Sequence, residues 1–251
     1  MTKKEQLKFI EDNYPLYNNH ISNRRIRHTF FDTIETELQA YLLGFYAADG
    51  SIDEKRKTLR VHLQSGDSEI VYLFKDSISP DARTFTVAPH IVTGRNGMKV
   101  NAHASFGVDI TSSKLCNTVV DLGIGYNKSV AELKIPCIPE DLVKHFIRGY
   151  FDGDGCFSVI KRNDRKNPNS KTYQFNIIGM ENPLRKIQEH LIKNVGVADN
   201  GLKHRKSTIA VTIHYSGRNV CKRILDYLYQ DATIYLQRKY NKYKEYCISA
   251  E

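Results

Sequence analysis

The sequence predicts an α+β protein built from two pseudo-symmetric copies of one unit. Three observations carry this: a nine-residue segment that recurs, a matching order of helical and strand patterns after each copy, and a composition that supports a large core. Leu42-Leu-Gly-Phe-Tyr-Ala-Ala-Asp-Gly50 resembles Ile147-Arg-Gly-Tyr-Phe-Asp-Gly-Asp-Gly155, and the aspartates Asp49 and Asp154 stand 105 positions apart. Self-similarity at this spacing implies a repeated architecture. Of the 251 residues, 41% are apolar and 26% charged, which excludes a disordered chain. The length holds one large domain or two of ordinary size.

The elements follow in order. Lys4 to Asp12 reads as a short helix, and the segment ending at Gly50 as an apolar one. A basic turn, Asp53 to Lys57, leads to an alternating strand, Thr58 to Gln64. Ser68 to Ile78 carries Ile70, Val71, Phe74 and Ile78 on one helical face. Phe106, Val108 and Ile110 alternate in a further strand, and a helix is expected near Ser113 to Leu122. The second copy repeats this: a strand from Cys156 to Ile160, a longer basic turn from Lys161 to Lys171, a strand from Thr172 to Ile178, and a helix from Pro183 to Val195 with Leu184, Ile187, Leu191 and Ile192 on one face. Ile209, Val211 and Ile213 then alternate before a helix near Gly217 to Tyr229. Each unit is therefore helix, two strands, helix, two strands, helix.

Gly123, Gly125, Pro136 and Pro139 mark residues 123–140 as a connector. The expected division is an N-terminal extension at 1–36, a first repeat with its connector at 37–136, and a second repeat at 137–251. Arg24, Arg25 and Arg27 offer the extension as a nucleic-acid arm. The preferred reading is plainer: a helix and linker packed on the body.

Lys and Arg number 37 against 28 Asp and Glu, a net +9 that favours an anionic partner, nucleic acid first. The longest apolar run, Ala40 to Ala48, is about half of the ~20 residues that span a bilayer, so no membrane partner is expected. No apolar stretch follows the charged N-terminus, so a secretory signal is not expected. Cys116, Cys137, Cys156, Cys221 and Cys247 are odd in number and dispersed. That argues against a zinc ribbon or a disulfide framework and suits a reducing, intracellular compartment: a prokaryotic or phage-infected cytoplasm, or an organelle matrix.

The two Asp-Gly helix ends carry the chemistry. Gly44 and Ala48 lie four apart, as do Gly149 and Gly153, and small residues at that spacing let two helix backbones approach closely. Pairing by pseudo-symmetry would bring Asp49 and Asp154 side by side, each followed by a glycine suited to a left-handed cap. A carboxylate at a helix C-terminus is disfavoured by the dipole, and two together repel. A divalent cation removes both penalties, and hard oxygen donors suit Mg²⁺ shared with a phosphate. A calcium loop at 152–155 is excluded, because Cys156, Phe157 and Asn163 stand where an EF-hand needs a ligand, Gly and Glu.

On these residues the sequence resembles the LAGLIDADG homing endonucleases in their single-chain, two-motif form, over roughly residues 37–250. Tyr235 to Lys244 is similar to the family's closing helix. The resemblance implies αββαββα repeats forming a saddle of antiparallel sheets over DNA, with the motif helices at the centre. It assigns the metal-binding acids to Asp49 and Asp154, with the carbonyls of Ala48 and Gly153 as further ligands. The sixth motif position, Ala47 in one half and Asp152 in the other, is not the essential acid. Leu43 and Arg148 depart from the motif, and Arg148 is expected to point away from the helix interface. The resemblance also implies a Lys or Gln near the metal. Gln64 or Ser65 fits in the first half, and Gly179 is the approximate counterpart. Lys99 and Lys203 are candidates for the lysine, without a matching motif.

Strand alternation places Leu59, Val61 and Leu63 inward and Arg60, His62 and Gln64 outward. In the second half Phe175 and Ile177 go in, while Thr172, Gln174 and Asn176 go out. Such outward rows can read base edges in a major groove, and Lys203 and Arg205 extend the second row. Lys55, Arg56, Lys57, Lys161, Arg162, Arg165 and Lys166 are expected on phosphates.

The expected function is a monomeric, site-specific double-strand DNA endonuclease with Mg²⁺ as cofactor and no obligate protein partner. The resemblance adds a short staggered cut across the minor groove and a role in copying an intron or mobile gene. Two alternatives stay open: an RNA-splicing maturase, whose partner is intron RNA, and a regulator that binds DNA without cutting it.

Overall fold

The computed structural model describes residues 1–19, 24–93, 97–125, 138–161, 170–204 and 208–248. The chain begins with α1 (Lys3–Asn13), whose N-cap Thr2 and Glu5 exchange hydrogen bonds, and a small hairpin, β1 (Tyr17–Asn19) and β2 (Arg24–Ile26). Ile10, Tyr14, Ile26, Phe30 and Phe31 of this extension are buried. Gln6 Oε1 accepts the Leu38 N–H at 2.7 Å. Arg27 is buried, donating to the carbonyls of Tyr14 at 2.9 Å and Ser77 at 3.2 Å, and Arg25 forks onto Asp81. Two of the three arginines are thus structural ties.

The first repeat runs α2 (Glu37–Asp49), β3 (Gly50–Asp53), β4 (Thr58–Gln64), a 3₁₀ turn (Ser65–Asp67), α3 (Ser68–Ile78), β5 (Thr84–Val87), β6 (His90–Thr93), β7 (Lys99–Ala102), β8 (Ser105–Thr111) and α4 (Ser113–Asp121). The second runs α5 (Glu140–Asp154), β9 (Gly155–Lys161), β10 (Lys171–Gly179), α6 (Glu181–Val195), β11 (Lys203–His204), β12 (Val211–Ser216) and α7 (Arg218–Tyr229), and α8 (Gln237–Ile248) closes the described chain. Each repeat forms a four-stranded antiparallel sheet, in the orders β3-β4-β8-β5 and β11-β12-β10-β9. The first also carries a separate ribbon, β6–β7, which the sequence pattern does not announce. Ile209 is exposed and precedes β12, so the alternation read at 209–213 belongs to the strand only from Val211.

One face of each sheet is apolar and covered by helices. Leu59, Val61, Val108 and Ile110 are buried in one repeat, and Phe175, Ile177, Ile213 and Tyr215 in the other. Full burial of such a side chain stabilises the fold by about 1.5–3 kcal/mol. Helix α2 is buried all round from Leu38 to Ala47, because it packs on its own sheet and also along α5.

The α2–α5 contact is backbone against backbone. A methyl group built on Gly44 would lie 2.8 Å from the Phe146 carbonyl carbon, and one on Gly149 would lie 2.8 Å from the Phe45 nitrogen. The small residues read from the sequence are what admit this approach. Arg148 departs from expectation. It is wholly buried, stacks 5.5 Å over the Tyr41 ring and reaches the Glu37 carboxylate of α2 at 2.6 Å. Instead of turning away from the interface it ties the two helices together, which is possible because Glu37, Ile234 O and Leu228 O satisfy its donors.

Candidate active site

Helices α2 and α5 end together. A Cβ built on Gly153 would meet the Ala48 side chain and lie 3.1 Å from Asp49 Oδ2, so the Asp49 carboxylate stands against the last turn of α5. Asp49 and Asp154 are both exposed. Strands β3 and β9, which start immediately after them, are edge strands of the two sheets. The carboxylates therefore sit where the repeats meet. Gly50 and Gly155 have φ of −71° and −92°, extended and not left-handed. They are needed for space instead: a Cβ at Gly50 would fall on the Tyr46 ring, and one at Gly155 on the Phe151 ring.

The Tyr150 hydroxyl lies within electrostatic reach of both acids. Its pKa is raised by burial and then by the charges of Asp154 and Asp49. A side chain at Gly179 would fall on that hydroxyl, so tyrosine occupies the place. Strand register also adjusts the proposed correspondence with Gln64. Gln64 lies three residues beyond Val61, the partner of Gly50; three beyond Ile177, the partner of Gly155, is Met180 and not Gly179. Gln64 itself is exposed at the end of β4, just past the Asp49 helix end.

A buried polar cluster stands behind the acids. Asp152 accepts hydrogen bonds from Tyr41 at 2.8 Å, from the Leu236 N–H at 2.8 Å and from Tyr229. Burial raises its pKa against the charge of Lys239 and these donors. Lys239, only 8% exposed, donates to the carbonyls of Phe151 at 2.5 Å and Gly155 at 2.7 Å, and its Nζ is 3.5 Å from Gly153 O. It thus places a cation on the negative end of α5. Burial lowers its pKa to about 8, opposed by Asp152 and Asp49. Sequence reasoning missed this lysine. Its signal was positional: it shares the buried face of α8 with Tyr243 and Tyr246. Of the lysines that were considered, Lys99 stands on the exposed β6–β7 ribbon and Lys203 on β11, the opposite edge of its sheet from β9.

Further along α5, burial and the Arg148 guanidinium hold the His145 pKa at about 3. The ring is therefore neutral, and its 3.8 Å approach to Glu37 is not an ion pair. Burial opposes ionisation of Glu37, but the Arg148 guanidinium and the hydrogen bonds from Thr233 outweigh it and keep its pKa low.

The outward rows lie on the uncovered sheet faces. On β4, Arg60 pairs with Asp53 at 2.7 Å and Asp109 at 3.5 Å, while His62 meets Asp109 at 2.7 Å and the edge of Phe85. Two carboxylates thus restrain this row. On β10, Thr172, Gln174 and Asn176 are half-buried, and Asn176 pairs with His214 at 2.7 Å. Lys203 is exposed opposite Thr212, Lys161 is exposed at the end of β9, and Lys55, Arg56 and Lys57 form the β3–β4 turn. Asp109, Phe85 and His214 were not foreseen on these faces. Arg162, Arg165, Lys166 and Arg205 lie outside the described residues.

A sequence model of the family described as LAGLIDADG endonuclease matches residues 147–250. No curated protein sequence matches the chain. Among solved structures, the I-LtrWI LAGLIDADG homing endonuclease bound to target DNA is similar, with a TM-score of 0.51 at 14% identity over 84% of this chain and 89% of that one. I-SmaMI bound to an uncleaved DNA target in the presence of calcium ions gives 0.54 at 15% identity over 85% and 90%. At that identity the likeness concerns the fold, whereas residues 147–250 match in sequence. Residues 147–250 thus match the LAGLIDADG endonuclease family in sequence, and the chain as a whole has the two-repeat fold of the LAGLIDADG homing endonucleases.

Proposed function

We propose that this chain is a site-specific, double-strand DNA endonuclease that acts as a monomer and uses a divalent cation, Mg²⁺, held by Asp49 and Asp154. The observation that carries the reading is the emergence of two exposed carboxylates at the ends of one glycine-packed helix pair, at the meeting edges of two polar sheets. The donor set fits a hard cation: carboxylate oxygens, with the carbonyls of Ala48 and Gly153 as proposed additions. Two like charges on two helix C-termini gain most from a cation between them. When bound, the ion supplies Lewis acidity for phosphodiester hydrolysis and generates a nucleophilic water.

The chain's own groups do the rest. Asp49 and Asp154 would hold the cation. Lys239 contributes positive charge beside them, and Gln64 orients water by hydrogen bonding. Arg60, His62, Gln64, Thr172, Gln174, Asn176 and Lys203, joined by Arg205 from the undescribed segments, read base edges, while Lys55, Lys57 and Lys161, joined by Arg162, neutralise phosphates. Exposure of a randomised duplex library to the parent protein with Mg²⁺ tests the reading. Discrete cuts at one sequence support it. Retention of particular duplexes without cutting would instead indicate a DNA-binding regulator, and failure to select any duplex would contradict the DNA reading altogether.

A further inference from the structure

The start of α8 is held from both repeats at once. The Leu236 N–H donates to Asp152 of α5 at 2.8 Å. The next N–H, that of Gln237, donates to Glu69 Oε1 at 2.7 Å, and Glu69 belongs to α3 of the first repeat. Arg238 then forks onto Asp67, Nε to Oδ1 at 2.7 Å and Nη2 to Oδ2 at 2.9 Å, 171 positions away in sequence. Carboxylates from two different repeats therefore satisfy successive N-terminal donors of one helix, groups that have no partner within the helix itself. The bidentate fork fixes direction as well as distance. The next residue is Lys239, whose amino group rests on the Phe151 and Gly155 carbonyls.

We propose that Asp67 and Glu69 of the first repeat are positioning residues for Lys239: they clasp the start of α8 across the repeat boundary and so seat the Lys239 amino group against the acid-bearing end of α5. This rests on the endonuclease reading, in which Lys239 serves the reaction. The clasp also sets the relative placement of the two repeats at the site. Arg238 lies within electrostatic reach of Asp152 and Asp49 as well as of Asp67. A helix turns about 100° per residue, so slippage at 237 and 238 is carried directly into the side chain at 239.

The test is Asp67→Ala/Glu69→Ala, with single Asp67→Ala as a milder second variant; Glu69 is exposed, and Asp67, though largely covered, lies outside the buried core, so neither change removes core. One readout needs no activity: the rate at which an amine-acylating reagent modifies Lys239, followed by peptide mass spectrometry. The clasp predicts strong protection in the parent and faster labelling in the variants. The second readout is DNA cleavage at saturating duplex. Loss of positioning predicts roughly a 10- to 100-fold fall in kcat with duplex affinity unchanged. In a Lys239→Gln background the same two substitutions should lower kcat no further. Unchanged Lys239 labelling overturns the clasp whether or not the protein cuts DNA. Faster labelling with losses that multiply in the Lys239→Gln background would make the contacts merely structural and overturn the positioning role. If the parent cuts no duplex, the endonuclease reading fails on its own account, and labelling alone then decides whether Asp67 and Glu69 seat the lysine.

Discussion

Gly149→Ala tests the helix pairing on which the site depends, and its sign is the informative quantity. By helix propensity alone, alanine in place of a mid-helix glycine stabilises by about 0.8–1 kcal/mol. The structure opposes this. The new methyl would sit 2.8 Å from the Phe45 nitrogen and 3.0 Å from the Tyr41 carbonyl carbon, and nearer still to the Tyr41 carbonyl oxygen, where ordinary contact begins at 3.4 Å. These are backbone atoms of α2 that cannot rotate aside, so the helices must part. Overpacking of this kind costs about 1–3 kcal/mol, and more where relief is poor. Because the opposing atoms are backbone, the upper end of that range applies, and, less the propensity gain, a net destabilisation of about 2 kcal/mol is expected. Gly66→Ala is the control, since nothing lies within 4 Å of its added methyl. Urea denaturation should lower the midpoint of Gly149→Ala at unchanged m and leave that of Gly66→Ala close to the parent. A more stable Gly149→Ala would refute the close-packed pair, and with it the argument that brings Asp49 to Asp154.

Three further outcomes follow from the same structure. Because the folded pKa of His145, about 3, lies below the ordinary value of 6.5, its contribution is complete above pH 6.5 and is lost as pH falls toward 3. Stability should therefore be lower at pH 5 than at pH 7, and His145→Gln should show a flatter profile by denaturant titration at the two pH values. Arg27→Ala orphans two buried carbonyls and should cost about 2–3 kcal/mol in thermal or urea unfolding while leaving duplex affinity unchanged. Asp109→Ser frees Arg60 and His62 from a carboxylate and should tighten duplex binding in a fluorescence titration, with a steeper salt dependence.

The repeat made much of the fold legible. The helix Ser68–Ile78 and the strand Thr58–Gln64 have the limits that their periodicity predicts, because each presents one apolar face to a single core. The β6–β7 ribbon was not legible, since both its strands are exposed along their length and carry no burial pattern. The Asp-Gly ends announce acids meeting at a helix interface, but the reason for glycine is the crowding of the Tyr46 and Phe151 rings, a tertiary fact that no cap motif encodes. Arg148 and Lys239 are the instructive misses. Each is a charged residue on a buried helical stripe, where the sequence signal is a conflict between charge and position, and their partners lie far off in the chain at Glu37 and at the end of α5. Likewise Arg60 and His62 face outward as alternation requires, while their engagement by Asp53 and Asp109 depends on strand pairing across the sheet.

The central claim is that Asp49 and Asp154 hold the cation that makes cleavage possible. It is tested most directly by measuring, on a duplex selected by the parent protein, both binding and Mg²⁺-dependent cutting for the parent, Asp49→Asn and Asp154→Asn. Each substitution keeps the side-chain shape and removes the charge that binds a hard cation. The account predicts cutting by the parent only when Mg²⁺ is present, and binding without cutting in each variant. Full cleavage by either variant, or undiminished cutting by the parent in chelator, would contradict it.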